Sequence, residues 1–162
     1  MTDLEQRKVA VLFLCTGNSA RSQMAEAILK GLTGDRLDVH SAGLDPARGV
    51  HPMTLRVLRE RGLNADGLRA KNASEFLGKV LVAHAIVVCD KAQQNCPRIH
   101  PFALHNHYWP FEDPAAFAGT QEQQLARFNE VFDLIERRIT QWLREWESAL
   151  TPRRQVAGPP TA

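Results

Sequence analysis

Several things are scarce in this chain of 162 residues. No stretch approaches the roughly twenty consecutive apolar residues that cross a bilayer, so no helical membrane span is expected. Neither sign of charge dominates: 20 Lys and Arg stand against 18 Asp and Glu. The slight positive excess is scattered, which argues against a nucleic-acid partner. There is no internal repeat, and the length suits one core, with residues 1–150 expected as a single domain. The opening Met1-Thr2-Asp3-Leu4-Glu5 has none of the character of a secretory signal, which makes a cytoplasmic location the expectation. Cysteines number only three, Cys15, Cys89 and Cys96. In a compartment that keeps thiols reduced, such a small set points to reactivity rather than to a disulfide framework.

What is present begins with Val11-Leu12-Phe13-Leu14-Cys15-Thr16-Gly17-Asn18-Ser19-Ala20-Arg21-Ser22, where a thiol and a guanidinium bracket five residues between an apolar run and a helical one. A loop this short curls its backbone N–H groups into a nest, and the helix that follows aims its positive end at the same spot. Both features favour a tetrahedral oxyanion held by Thr16, Gly17, Asn18, Ser19, Ala20, Arg21 and Ser22, and both favour the thiolate form of Cys15. The planar fork of Arg21 grips two oxygens at once, which a lysine cannot do. Gly17 is expected to supply a positive φ and close approach to the anion, and Asn18 a left-handed turn braced by its own side chain. The Ser22 hydroxyl is placed to donate to the sulfur. A cysteine ending a strand is ordinarily a small buried apolar residue, but this company argues for a nucleophile.

Strands and helices alternate along the chain. Val9 to Leu14 reads as a central parallel strand, and Ser22 to Leu32 as a helix with Met24, Ala25, Ile28, Leu29 and Leu32 at helical spacing. Leu37 to Ser41 is a second strand and Ala42 to Pro46 a loop. Met53 to Arg61 is a helix stopped by Gly62. Ser74 is expected to cap a brief helix ending at Gly78. Val80 to Val88 is a third strand, Lys91 onward a short helix or turn halted at Pro97, and Ala103 to His107 a fourth strand. A long helix from about Thr120 to Ser148 carries Leu125, Phe128, Phe132, Ile135, Ile139, Trp142, Leu143 and Trp146 on one stripe. The Pro-containing tail, 151–162, is expected to be disordered. The fold class is therefore α/β: a doubly wound domain with a four-stranded parallel sheet flanked by helices, its binding crevice at the first strand-to-helix turn.

Cys15 to Glu26, reading Cys-Thr-Gly-Asn-Ser-Ala-Arg-Ser-Gln-Met-Ala-Glu, resembles the P-loop of the low-molecular-weight protein tyrosine phosphatase superfamily. Its wording is most similar to that of the thioredoxin-coupled arsenate reductases within it. Many of those carry a further Cys where this chain has Ala20. Cys89 and Cys96, in Val87-Val88-Cys89-Asp90-Lys91-Ala92-Gln93-Gln94-Asn95-Cys96-Pro97, are too far apart for a CxxC pair and lack partners for a zinc site. On a helix they stand about two turns apart, so a direct disulfide requires unwinding, since bridged Cα atoms lie within about 7 Å. The segment resembles the redox segment of those reductases. The resemblance implies that Cys89 attacks Cys15 and that Cys96 resolves the product.

In Trp109-Pro110-Phe111-Glu112-Asp113-Pro114, an Asp-Pro pair alone is a turn signal. By the same resemblance Asp113 is the acid that protonates the departing oxygen, with Glu112 as fallback. The tyrosine-specific members usually place a Tyr just after this pair. Here Ala115-Ala116-Phe117 follows, which argues for a small inorganic substrate. Asn18, Glu26 and Ser41 resemble positions that hold a potassium ion in some arsenate reductases, although Asn72-Ala73-Ser74 lacks the carboxylate that site also uses. His105 and His107 would share one strand face, with no third ligand at useful spacing, so no metal is expected there.

The resemblance implies reduction of arsenate to arsenite by a Cys15, Cys89, Cys96 cascade, with thioredoxin as reductant and no required cofactor. The alternatives are hydrolysis of a phosphocysteine by a phosphatase that uses the same Cys15, Arg21 and Asp113, and a non-catalytic oxyanion-binding or interaction module.

Overall fold

The computed structural model describes residues 7–90 and 103–151. Cys96, the segment from Lys91 to Pro97 and the tail beyond Thr151 lie outside the described residues. β1 (Val9–Cys15), β2 (Leu37–Gly43), β3 (Val82–Val87) and β4 (His105–Tyr108) form one sheet in the order β2-β1-β3-β4. Every neighbouring pair is parallel. β1 is an apolar run buried almost throughout because it is central and covered on both faces. Among the described residues, three α-helices complete the α/β layers: α1 (Arg21–Thr33), α2 (Pro52–Glu60) and α3 (Gln121–Leu150).

α3 begins at a capping box in which Thr120 and Gln123 satisfy each other's backbone N–H groups. Its stripe of Phe128, Val131, Phe132, Ile135, Ile139, Trp142 and Leu143 is buried; Leu125 and Trp146 pack against it only in part. His51 caps α2, its Nδ1 accepting from the Met53 N–H at 3.1 Å, and Gly62 follows that helix at φ 72°.

Several boundaries depart from expectation for reasons visible in the hydrogen bonds. Asn72, rather than Ser74, caps the short 3₁₀ turn Ala73–Glu75, since its side chain accepts from the Ser74 N–H. β3 starts at Val82 because the N–H groups of Lys79 and Val80 are taken by the Phe76 carbonyl in the preceding turn. β2 runs on to Gly43, whose N–H donates to the Lys71 carbonyl at 2.8 Å. β4 covers His105–Tyr108 instead of starting at Ala103.

The parallel register sets His84 beside His105. This supplies the third imidazole that spacing along the chain does not reveal. His84 Nδ1 lies 3.0 Å from His107 Nε2, and the His84 and His105 rings stack at 5.0 Å. His107 is half-buried and paired with His84, whereas His105 is exposed. Trp142 packs edge-on against His84. Burial, followed by the neighbouring His107 and His105, lowers the His84 pKa to about 4. No group of three that could hold a metal ion occurs among the described residues.

Candidate active site

Cys15 ends β1, and the chain turns through residues 16–20 into α1. The carbonyls of this loop are all drawn outward. Asp45 N–H donates to the Thr16 oxygen, Ala47 N–H to that of Gly17, His51 N–H and the Thr54 hydroxyl to that of Ser19, and Met24 N–H to that of Ala20. The Asn18 oxygen accepts from Gln23 Nε2. Because each peptide unit is planar and trans, a carbonyl turned out turns the next residue's N–H in. The loop thus presents its amides to one side, as an anion nest. No side chain caps the start of α1, so the helix's positive end is directed at the same space. That space is a cavity of about 210 Å³ lined by Cys15 to Arg21 and by Asp113.

Gly43 matters here, and sequence reasoning passed over it. A Cβ at this position would collide with the Thr16 carbonyl and come within 3.0 Å of the Asn18 nitrogen. Only a glycine lets β2 pass so close beneath the loop. Gly17, by contrast, does not adopt the expected positive φ. The left-handed residue is Asn18, at φ 50°. A Cβ on Gly17 would meet nothing closer than 3.7 Å.

A buried hydrogen-bond chain leads from the backbone of Lys71 to the sulfur. The backbone N–H of Lys71 donates to Asn18 Oδ1 at 2.8 Å, which settles the orientation of the Asn18 amide. Asn18 Nδ2 then donates to Ser22 Oγ at 2.8 Å and to Ser41 Oγ at 3.0 Å. With the Ser22 oxygen accepting from Asn18, its proton is free to point at Cys15 Sγ, 2.8 Å away. The Asn18 N–H also reaches that sulfur, at 3.1 Å. Two polar groups, the Ser22 hydroxyl and the Asn18 N–H, thus converge on the sulfur of a buried free cysteine. Gln23 Nε2 reaches Asn18 Oδ1 and the Arg69 carbonyl, which ties α1 to the 69–71 segment.

Arg21 is almost fully buried. Its Nη1 donates to the Phe111 carbonyl at 2.9 Å, and its Nη2 stands 3.7 Å from Asp113 Oδ2. The guanidinium thereby draws the loop after β4 over the cavity. Asp113 Oδ1 accepts from Ala115 N–H and caps the 3₁₀ turn Pro114–Ala116. Glu112 does not line the cavity: it is 65% exposed and pairs with Arg127 at 3.4 Å. Cys89 is buried two residues beyond the end of β3, the neighbour of the strand that carries Cys15, just after Val88, whose N–H bonds to the Leu14 carbonyl. Cys89 is disulfide-bonded while Cys15 is free.

Fold and loop together define a class of α/β protein in which a cysteine and an arginine bracket a nest of amides at the end of the first strand. More narrowly, the chain belongs to the low molecular weight phosphotyrosine protein phosphatase family, whose model matches residues 10–152. It is 36% identical over 143 residues to an arsenate reductase of Bacillus licheniformis, covering 86% of this chain and 99% of that one. To an arsenate reductase of Halalkalibacterium halodurans it is 39% identical over 138 residues, covering 82% and 93%. Among solved structures, an arsenate reductase in the phosphate binding state superimposes with a TM-score of 0.70 at 26% identity, covering 85% of this chain and 98% of that one. The tyrosine phosphatase Wzb from Escherichia coli K30, in complex with sulphate, shares the fold with a TM-score of 0.69 at 21% identity, covering 86% and 99%. No helix among the described residues is long and apolar enough to cross a membrane.

Proposed function

We propose that this protein reduces arsenate to arsenite. The observation that carries the proposal is the cavity of about 210 Å³, floored by a free thiol and walled by amides, Arg21 and Asp113. It is smaller than the roughly 300 Å³ at which sites for organic ligands begin, and it suits a bare tetrahedral oxyanion. The arsenate reductases among its relatives support the same substrate.

In this reading the Cys15 thiolate attacks arsenic while the amides of residues 16–21 and the Arg21 fork hold the oxygens. Asp113 gives a proton to the departing hydroxide, which leaves as water. Cys89 then attacks the Cys15 sulfur. The S–As electron pair passes to arsenic, As(V) becomes As(III), arsenite departs, and a Cys15–Cys89 disulfide remains. Cys96 attacks Cys89 in turn, releasing Cys15 as a thiolate, and thioredoxin reduces the Cys89–Cys96 bond in the cytoplasm. Cys89, buried just beyond the end of the strand next to that of Cys15, supports its role as the second thiol.

The test is arsenite production with thioredoxin, thioredoxin reductase and NADPH, run beside hydrolysis of an aryl phosphate. Cys15→Ser is expected to abolish both activities. Cys89→Ser is expected to stop arsenite release and spare hydrolysis, and Cys96→Ser to give about one turnover and a trapped Cys15–Cys89 disulfide. Full multiple turnover by both latter variants would overturn the cascade. The phosphatase reading shares Cys15, Arg21 and Asp113, and the family match favours it; wild-type hydrolysis without any arsenite formation would select it.

A further inference from the structure

The hydrogen-bond chain that leads to Cys15 begins at a buried charge. Glu26, on the second turn of α1, is 3% exposed, and its Oε1 accepts from Ser41 Oγ at 3.1 Å. From Ser41 the chain passes through Asn18 and Ser22 to the sulfur. A carboxylate withdrawn from water needs a counter-charge. Two ammonium groups approach it. Lys30 stands 3.4 Å from Oε2 but is half exposed, at the protein surface. Lys71 reaches to 3.6 Å from Oε1 with only 11% of its side chain exposed, and its Nζ donates to the Arg69 carbonyl at 3.0 Å. Burial lowers the Lys71 pKa from 10.5, and Glu26 opposes that shift.

The likeness of Asn18, Ser41 and Glu26 to a potassium site meets a different arrangement here. The Asn18 side-chain oxygen is engaged by the Lys71 N–H and by Gln23, so its amide nitrogen gives one proton to Ser22 and one to Ser41 and shows Ser41 no lone pair. The carboxylate oxygen that a cation would seek already faces an ammonium. These residues do not fit a free alkali ion.

We propose that Lys71 is a positioning residue whose ammonium serves as the built-in cation of this site. It neutralises Glu26 and so keeps Ser41 and Asn18 in the donor order that turns the Ser22 proton toward Cys15. The same residue clamps the chain at both ends, since its backbone N–H orients Asn18 and its side chain answers Glu26. The protein therefore works without added potassium. The inference rests on Cys15 as the nucleophile of the proposed function, and not on the identity of the oxyanion.

The experiment measures aryl phosphate hydrolysis and thermal midpoints in choline, potassium and ammonium chloride at equal ionic strength. Wild type is expected to be indifferent to the cation in both readouts. Lys71→Ala, which opens room where the head group was, is expected to lose roughly 2- to 30-fold in kcat with little change in KM. Ammonium or potassium, but not choline, should restore its kcat and raise its midpoint. Lys71→Met, whose stem fills that room, should lose activity without recovery. The double variant Lys71→Met with Glu26→Gln removes the charge that needs answering and should regain the stability lost by Lys71→Met alone. A potassium-dependent wild type, a fully active Lys71→Ala in choline, or a double variant no more stable than Lys71→Met overturns the proposal. The midpoints report on the cation whatever Cys15 does. Turnover by Cys15→Ser would instead sink the nucleophile and leave the midpoint result standing.

Discussion

Ser22→Ala isolates one proton beside the nucleophile. In the folded protein the Ser22 oxygen accepts from Asn18 Nδ2 at 2.8 Å, and the hydroxyl stands 2.8 Å from Cys15 Sγ, where it donates once the thiol has lost its proton. The substitution deletes one of the two donors on the sulfur and leaves the Asn18 N–H at 3.1 Å in place. A hydrogen bond to a charged group contributes about 1.5–3 kcal/mol, and 1.36 kcal/mol is a factor of about ten in rate, so attack by Cys15 should slow by roughly 10- to 150-fold. The fold should register much less. Asn18 Nδ2 keeps Ser41 as acceptor, and alanine is the better helix former in the first turn of α1, so the net cost is about 1 kcal/mol, or about 2–4 °C in midpoint for a chain of this size. The assays are initial rates of aryl phosphate hydrolysis, the rate of Cys15 alkylation by iodoacetamide at neutral pH, and a thermal melt. A variant that hydrolyses and alkylates within threefold of wild type would show that Ser22 does not donate to the sulfur. A melt lowered by more than about 10 °C would show that the hydroxyl is principally structural.

Three further outcomes are expected. Asp113→Asn should leave phosphate binding intact while slowing the first chemical step by about a hundredfold or more, the usual scale for a positioned acid; Glu112→Gln, which alters only an exposed ion pair, should change little, and a larger effect at Glu112 reverses the assignment. Gly43→Ala should push the loop off its position through the Thr16 carbonyl and the Asn18 nitrogen, weakening competitive inhibition by phosphate at least tenfold by displacing the nest on the scale at which an ångström matters; unchanged inhibition would mean that β2 does not set the loop. His84, with its pKa lowered to about 4, stays neutral in the folded state while the unfolded chain takes up a proton below about 6.5. Stability should therefore fall between about pH 6.5 and pH 4, by about 1–2 kcal/mol once partial solvent exposure is allowed for, and His84→Gln should flatten that part of the melting profile.

The parts of the site that were legible in the sequence are those whose chemistry is local. Cys15, Asn18, Arg21 and Ser22 lie within one turn-and-helix start, so residue type and order announce an anion loop before any fold is known. The long stripe of α3 was legible for the same reason, since period alone defines it. Boundaries failed where two local options compete. Asn72 and Ser74 are both capping residues, and which side chain accepts is decided by backbone geometry. Val80 looks like the start of a strand, yet its N–H is spent in a turn.

What stayed hidden depends on partners far along the chain. Gly43 reads as an ordinary loop glycine until the parallel register brings it under Thr16 and Asn18. His84 looks isolated until β3 pairs with β4. Lys71 sits in a polar stretch with the composition of a surface loop. Its role follows only from the isolated bridge between Gly43 and Asn72, which lays the 69–72 segment along the end of β2. That contact delivers the backbone N–H of Lys71 to Asn18 and the ammonium to Glu26 together. The nucleophile is thus recognisable from a dozen consecutive residues. The order of the protons around it is set by a glycine, a lysine and a glutamate that only the sheet brings together.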